Sequence, residues 1–215
     1  MIEPTEAARA CIIWMHGLGA GADDMAGLAK QLPLTMPVRH VSLSAPMRPV
    51  TLNQGMRMPA WYDITGMSLT DREDKVGILD SEKNILEAVD AQIAAGFAPE
   101  RIFLAGFSQG GAMALFTALQ SKLALGGVMA LSAYLPMADV CQANLAKNTP
   151  MFIASGRLDE VVLPQWTAKT VRWLRDAAFD TLTIRDYPMA HSVCFEEVQD
   201  MAVWLEAQMA LTTSV

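Results

Sequence analysis

Short apolar runs alternate with longer amphipathic segments along the chain. The clearest apolar runs are Ala10–Met15, residues 101–105 and Gly127–Leu131. Runs without polar alternation are typical of strands that are buried on both faces of a parallel sheet. Shorter runs predict three further strands, at residues 41–43, residues 151–154 and Leu182–Tyr187.

The segments between these strands have the periodicity of helices. In residues 78–93, apolar side chains recur at three- and four-residue intervals, and Gly96 is suited to end that helix. The same criteria predict helices at about residues 23–32, 164–178 and 195–209. Alternating strands and helices predict an α/β fold, with a mostly parallel central sheet and helices on both faces. We expect residues 1–215 to form a single domain.

Residues 45–76 do not follow this pattern and are rich in Pro, Gly and Met, so we expect an irregular flap there. Flexible methionine side chains adapt to varied apolar shapes. The flap could therefore hold an acyl chain, or it could simply cover the core. Its candidate substrate-binding residues are Trp61, Met58 and Leu69, with Met67 nearby.

Charge and composition exclude several classes of function. The chain carries 23 acidic and 16 basic residues, a net charge of -7, which argues against nucleic acid and anionic membranes as partners. Its longest apolar stretch, residues 123–138, is too short and broken for stable membrane insertion. Three scattered cysteines and an N-terminus without signal features favour a cytoplasmic protein. Its three histidines are far apart, so we expect no metal site and no cofactor.

The strand predicted at residues 101–105 leads into Gly106-Phe107-Ser108-Gln109-Gly110, which matches the G-x-S-x-G nucleophile elbow. In that turn, a serine between strand and helix raises its hydroxyl above the sheet, and its neighbours two positions away must be small. A strand before the motif and a small-residue helix after it are the context that the motif requires. Ser108 is therefore the candidate nucleophile.

A serine hydroxyl needs a general base, and the chain has three histidines. His40 precedes its predicted strand and so lies at the wrong end of the sheet, and His16 lies upstream of the serine in a glycine turn. His191 follows the last strand, which places it after the serine and at the correct edge. His191 is the predicted base.

The carboxylate that orients the histidine should follow a strand between Ser108 and His191. Asp159 meets this condition, because a short loop connects it to residues 151–154. Asp180 precedes its strand, and Glu160 is the nearest competitor. Asp139 lies in a different connection and Asp176 in a predicted helix.

Negative charge on the substrate oxygen requires waiting backbone N–H donors. The residue after the nucleophile, Gln109, supplies one of them, and the glycine loop after the first strand should supply the other. Leu18 is our candidate there. A phosphate-binding role for this loop is disfavoured, since it lacks the lysine and serine of a P-loop.

With these motifs, the chain resembles the carboxylesterase and acyl-protein thioesterase family of α/β-hydrolases over nearly its whole length. The matching segments are HGLG at 16–19, PAWYDI at 59–64, GFSQGGAMAL at 106–115, DEVVLP at 159–164, and His191 with Glu197. The resemblance implies the α/β-hydrolase fold, with no large lid domain, and a monomer or weak homodimer. It also implies the triad and oxyanion roles named above. Ala20, Ser155 and Ala190 depart from the family pattern, where Asp, His and Gly are usual.

We therefore expect a serine carboxylesterase that cleaves short- to medium-chain esters through an acyl-enzyme, with thioesters and lysophospholipids as further candidate substrates. One alternative is an acyl-protein thioesterase acting on lipidated proteins. Another is a hydrolase-fold binding protein without significant turnover. A Cys–His hydrolase using Cys194 is less favoured, since this cysteine lacks an elbow and is expected to pack at the start of the last helix.

Overall fold

A six-stranded parallel sheet forms the centre of the molecule in a computed structural model that describes residues 1–66, 69 and 72–211. Its strand order is β2-β1-β5-β6-β7-β8. The strands are β1 (Ala10–Met15), β2 (Val38–Leu43), β5 (Ile102–Phe107), β6 (Gly127–Leu131), β7 (Met151–Gly156) and β8 (Leu182–Tyr187). A separate antiparallel hairpin contains β3 (Met47–Val50) and β4 (Met56–Pro59).

In the part of the chain that the structure describes, five α-helices lie against the two faces of this sheet. They are α1 (Ala22–Gln31), α2 (Lys75–Ala94), α3 (Gln109–Gln120), α4 (Pro164–Asp176) and α5 (Phe195–Leu211). The core accordingly has two layers, one with α2, α3 and α4 and one with α1 and α5. Strand β1 contributes side chains to both layers, because alternate side chains of a strand point to opposite faces. Ile13 packs in the first layer and Trp14 in the second.

The predicted α/β class and the predicted elements are confirmed, with differences at strand ends and in the flap. Strand β2 begins three residues earlier than expected, at Val38, and β5 and β7 each extend two residues further, to Phe107 and Gly156. The stretch of residues 45–76 is less irregular than expected, because it contains the β3–β4 hairpin. Four-residue strands that include prolines give little periodicity in a sequence, which is why the hairpin was missed. Met67 lies outside the described residues.

The position predicted for His40 was wrong. This residue lies inside β2 rather than before it, and it is 7% exposed. Its Nδ1 accepts a hydrogen bond of 3.1 Å from the Trp14 indole N–H. Burial lowers the pKa of His40 to about 4, so the ring is neutral and acts as a buried acceptor between β1 and the N-terminal segment.

Close packing of α3 against the sheet depends on glycines at its first turn. A Cβ on Gly106 would overlap the backbone of Gly110, and one on Gly110 would overlap the carbonyl group of Met15 at the end of β1. A Cβ on Gly111 would lie 2.7 Å from the Cβ of Ala133. The helix therefore starts in direct contact with two strand ends, which places its N-terminus at the carboxyl edge of the sheet.

We expect Gly110→Ala to lose several kcal/mol of folding free energy or to prevent folding, since backbone atoms rather than flexible side chains block the added methyl group. Gly27→Ala is the matched control, because a Cβ there meets nothing within 4 Å and the residue lies inside α1. It should stabilise the protein by up to about 1 kcal/mol. Urea denaturation of both variants checks this, and equal stabilities would contradict it.

Candidate active site

Ser108 lies at the turn between β5 and α3, with φ 54° and ψ −120°. A non-glycine residue with positive φ costs roughly 1–3 kcal/mol and persists only where its surroundings enforce it. Here the Ser108 N–H donates to the Leu131 carbonyl at 2.9 Å, and its carbonyl accepts from the Ala112 N–H at 3.0 Å. These bonds hold the serine above the sheet edge, between two strands and the helix.

His191 reaches this serine from the loop between β8 and α5. Its Nε2 lies 2.9 Å from the Ser108 hydroxyl oxygen. The Phe107 ring packs against the imidazole, with centroids 4.7 Å apart, and the His191 side chain remains 18% exposed. The ring is therefore held in place by an apolar neighbour and is still reachable from solvent.

Asp159 completes the line from the other side of the imidazole. Its Oδ2 lies 2.7 Å from His191 Nδ1, and its side chain is fully buried. Its Oδ1 accepts the backbone N–H groups of Val161 and Val162, both at 2.8 Å. The carboxylate is thus oriented so that one oxygen faces the histidine, while the competitor Glu160 is exposed to solvent.

This arrangement assigns the protons of the imidazole. A carboxylate can only accept, so Nδ1 carries the hydrogen and Nε2 is left as the acceptor for the serine hydroxyl. The geometry suits transfer of the Ser108 proton to His191, with Asp159 stabilising the imidazolium that forms.

The two predicted oxyanion residues flank the serine. Gln109 begins α3, so its backbone N–H has no acceptor within the helix. The loop carrying Leu18 lies against the elbow, because a Cβ on Gly17 would lie 3.3 Å from Phe107 and 3.5 Å from the Ser108 Cβ. Among the backbone hydrogen bonds of the described residues, Leu18 N–H is not a donor.

His16 holds this loop in position and is not a second base. It is fully buried, its Nε2 accepts the Ala45 N–H at 3.0 Å, and its Nδ1 lies 2.7 Å from the Gly17 carbonyl oxygen. Because Nε2 is an acceptor, Nδ1 carries the hydrogen and donates to that carbonyl. The loop is further bound to the flap by the Gly19 N–H, which donates to the Pro59 carbonyl at 2.9 Å.

Comparison with known proteins shows the family of the chain. Residues 1–209 match the family model described as Phospholipase/Carboxylesterase. The chain belongs to the phospholipase/carboxylesterase family.

Curated relatives and solved structures extend that assignment. The chain is 35% identical to acyl-protein thioesterase 1 of Cryptococcus neoformans, covering 95% of this chain and 94% of that protein. It is 36% identical to acyl-protein thioesterase 1 of Mycosarcoma maydis, covering 95% of this chain and 92% of that protein. The crystal structure of Arabidopsis thaliana SOBER1 superimposes with a TM-score of 0.86, at 29% identity, over 94% of this chain and 100% of that one. Zea mays acyl-protein thioesterase 2, at 24% identity and a TM-score of 0.86 over 97% of each chain, has the same fold. The chain is accordingly a hydrolase of the α/β-hydrolase type.

The three departures from the family pattern leave the site geometry intact. Ala20 keeps a backbone hydrogen bond from its N–H to the Gly17 carbonyl, at 3.2 Å. Ala190 is not among the residues with positive φ, so a glycine is not required there. Ser155 lies inside β7 and is half-buried.

The structure places Trp61 beneath the loop of residues 16–21 that carries Leu18, called the oxyanion loop below, rather than on a substrate surface. Its side chain is 1% exposed, and its indole N–H donates to the His16 carbonyl at 2.8 Å. The Gln109 side chain binds the same segment twice, accepting from the Trp61 N–H and donating to the Tyr62 carbonyl, both at 2.8 Å. Trp61 therefore does not meet the expectation of substrate contact. Sequence reasoning assigned Gln109 only a backbone role and missed that its amide connects flap and elbow.

Met58 and Leu69, the other predicted substrate residues, are half-buried in the flap. The Met58 sulfur lies next to the oxyanion loop, 3.6 Å from where a Cβ on Gly19 would be. The Leu69 carbonyl accepts the Tyr134 hydroxyl at 3.3 Å, and Tyr134 pairs with Tyr62 at 2.8 Å. Both residues also pack against the core, so they serve the fold in addition to any substrate role.

Cys194 has the surroundings expected of a packing residue. It lies directly before α5, and burial raises the pKa of its thiol, which reduces the thiolate that a nucleophile needs. Among the described residues, no three His, Cys, Asp or Glu side chains are grouped as metal ligands would be.

Glu197 is a buried acid next to the histidine loop whose surroundings sequence reasoning did not predict. It lies in the first turn of α5 and is fully buried, and neither carboxyl oxygen has a well-formed hydrogen bond within the described structure. Burial raises the pKa of Glu197 to about 8, an effect that the Cys194 backbone N–H partly offsets. A neutral carboxyl group therefore supports the start of α5 at neutral pH.

We expect Trp61→Phe to lower kcat about 5- to 50-fold with little change in KM, since it leaves the His16 carbonyl unpaired and loosens the oxyanion loop. Trp173→Phe is the control. The Trp173 indole N–H also donates to a backbone carbonyl, that of Ala138 at 3.0 Å, but Trp173 lies in α4 and does not contact the oxyanion loop through this bond. Steady-state kinetics on one ester distinguishes the two. A raised KM with unchanged kcat in Trp61→Phe would instead indicate substrate contact.

We expect Glu197→Gln to weaken the pH dependence of stability. Folding raises the pKa of Glu197 from 4.5 to about 8, so the folded protein keeps a proton that the unfolded chain releases. The free energy of unfolding of the wild type therefore falls as pH rises from about 4.5 to about 8 and then levels off. Between pH 5 and pH 8 this fall should exceed that of Glu197→Gln by on the order of 3 kcal/mol.

Urea denaturation at the two pH values measures this difference. Glu196→Gln is the control, because Glu196 is the exposed neighbour in the same turn. Equal pH dependence in wild type and Glu197→Gln would show that the buried carboxyl group is not the cause.

Proposed function

We propose that this chain is a serine carboxylesterase that hydrolyses short- to medium-chain carboxylic esters through an acyl-enzyme. The observation that carries the proposal is the continuous line of contacts from Ser108 through His191 to Asp159, 2.9 Å and 2.7 Å long. A strained serine at the N-terminus of a helix, with an imidazole and a buried carboxylate aligned behind it, is an arrangement for nucleophilic attack.

In the first half of the reaction, the Ser108 oxygen attacks the ester carbonyl while His191 Nε2 takes the hydroxyl proton. A tetrahedral intermediate forms, with its negative oxygen facing the backbone N–H groups of Leu18 and Gln109. One such donor is typically worth about 3–4 kcal/mol of transition-state stabilisation. The imidazolium then gives its proton to the leaving oxygen or sulfur, and the bond to the leaving group breaks.

In the second half, water repeats the same steps. His191 takes a proton from water, the hydroxide attacks the acyl-serine, and the imidazolium returns the proton to Ser108 as the acid departs. The neutral imidazole is restored after each cycle, and the cycle consumes one ester and one water molecule. We propose that no cofactor and no metal ion takes part.

The acyl chain should lie on the flap side of the serine. Met58 and Leu69 supply half-buried apolar surface there, and Met58 adjoins the oxyanion loop. In its described residues the flap contains a small hairpin and a single 3-10 turn rather than a lid domain, which favours short and medium chains. Thioesters and lysophospholipids meet the same requirements at the reacting carbonyl and are further candidate substrates.

A second candidate function is acyl-protein thioesterase activity on lipidated proteins. It is favoured by the relatives from Cryptococcus neoformans and Mycosarcoma maydis, both named acyl-protein thioesterase 1. Thioester cleavage would use the same triad, so the two candidates differ only in the leaving group. A binding protein without turnover is disfavoured, since all three triad side chains are present and in contact.

We further propose that residues 1–215 act as one domain, as a monomer or weak homodimer in the cytoplasm. Three free cysteines and a net charge of -7 support a reducing compartment and argue against nucleic-acid partners. In the described part of the chain, no helix has the length and hydropathy that crossing a bilayer requires.

We expect Ser108→Ala to reduce hydrolysis of p-nitrophenyl butyrate by at least about 10³-fold and to abolish labelling by a fluorophosphonate probe. The wild type should be labelled at Ser108, and its kcat/KM should be highest for acyl chains of about four to eight carbons. Ser44→Ala is the control, because Ser44 is exposed and lies outside the triad.

Three outcomes would contradict the proposal. Undiminished turnover in Ser108→Ala would exclude this serine as the nucleophile. Inactivation by iodoacetamide that Cys194→Ala abolishes would favour the cysteine. A preference restricted to chains of about sixteen carbons would refute the chain-length assignment.

A further inference from the structure

A groove of ≈ 540 Å³ runs beside His191, between α1 and the start of α5. Its apolar lining includes Met25, Leu28, Phe107 and Val198. It is distinct from the flap, since no residue of the β3–β4 hairpin lines it. Because the acyl chain is proposed to lie on the flap side of Ser108, it would not occupy this groove.

The transfer of a proton from His191 to the leaving group indicates which part of the substrate would lie in this groove. His191 Nε2 must hand its proton to the leaving oxygen or sulfur, so the leaving group departs on the histidine side of the scissile bond. His191 itself forms part of the groove wall, as does the adjoining Val193. A leaving group that extends past the imidazole would therefore enter this groove.

The charges on the groove select what can bind there. Asp23 and Asp24 line the groove from the first turn of α1, and no lysine or arginine is among its lining residues. Asp24 accepts the Gly21 N–H at 2.8 Å and so serves as part of the helix cap. Asp23 is exposed and has no hydrogen bond or ion pair within the described residues, which leaves its carboxylate available.

An aromatic side chain from α5 adds a second contact for a cation. Phe195, the first residue of α5, lines the groove and is 73% exposed. Ammonium groups are attracted to aromatic faces as well as to carboxylates. Carboxylate and phenyl groups on an apolar floor are thus suited to an ammonium group carried on an apolar spacer.

We propose that this groove is the leaving-group subsite and that it favours esters and thioesters whose leaving group carries an ammonium ion. The inference rests on the proposed function, because it requires Ser108 and His191 to act as nucleophile and proton donor. It adds the charge class of the leaving group, which the triad alone does not determine.

The test uses butyryl thioesters that differ only in the thiol. Each thiol carries a trimethylammonium group on a spacer of two, four or six carbons, and each has a neutral partner in which carbon replaces nitrogen. The readout is the ratio of kcat/KM for the charged thioester to that for its neutral partner. For at least one spacer the wild type should give a ratio of roughly 2 to 10, falling towards one in about 1 M salt.

Two variants locate the effect. Asp23→Asn should bring the ratio close to one, because it removes the unpaired carboxylate from the groove. Asp90→Asn is the matched control, since Asp90 is exposed on α2, on the opposite face of the sheet, and its loss changes the net charge equally. It should keep the wild-type ratio.

The outcomes separate this inference from the proposed function. Hydrolysis of the neutral thioesters with a ratio near one at every spacer would overturn the subsite and leave the esterase assignment standing. An equal fall of the ratio in Asp23→Asn and Asp90→Asn would also overturn it, since the preference would then come from net charge. No hydrolysis of any thioester or aryl ester by the wild type would refute both.

Discussion

The contact between the first turn of α3 and the end of β1 is the constraint on which the site depends. Gly110 lies so close to the Met15 carbonyl that a single methyl group cannot be added there. That closeness brings two backbone segments together: the elbow with Ser108 and Gln109, and the loop with Leu18 that follows β1. An oxyanion pocket needs donors from both, so helix packing and proposed catalysis rest on the same contact.

Around this contact, neutral polar groups hold the loops and few charges are involved. His16, Trp61 and the Gln109 amide form buried hydrogen bonds that join the oxyanion loop, the flap and the elbow. Each bond alone is worth about 1 kcal/mol, but leaving one partner unpaired costs more, so the network fixes one geometry. The buried carboxylate of the candidate triad, Asp159, is held by two backbone N–H groups.

Much of the site could be predicted because parallel strands place their carboxyl ends at one edge. Ser108, Asp159 and His191 each follow a strand, so strand order along the chain was enough to select them over competitors such as Asp180. His40 was set aside on a wrong strand position, and its burial inside β2 is what excludes it. Trp61 could not be assigned in this way. Its sequence neighbours suggest a substrate surface, whereas only the folded chain places its indole under His16. The same applies to Glu197, whose burial depends on how α5 lies against the sheet.

The sequence by itself determined the strand–helix alternation and the elbow, and it selected the candidate nucleophile, base and acid, because these follow from local sterics and from chain order. Tertiary structure decided which side chains are buried, which hydrogen bonds join the loops, and where space remains beside His191. Those properties depend on atoms that are far apart in the chain, such as those of Asp23 and Phe195, which line one groove. Periodicity and motifs carry information on neighbours along the chain, whereas pockets and buried networks arise from packing between distant segments.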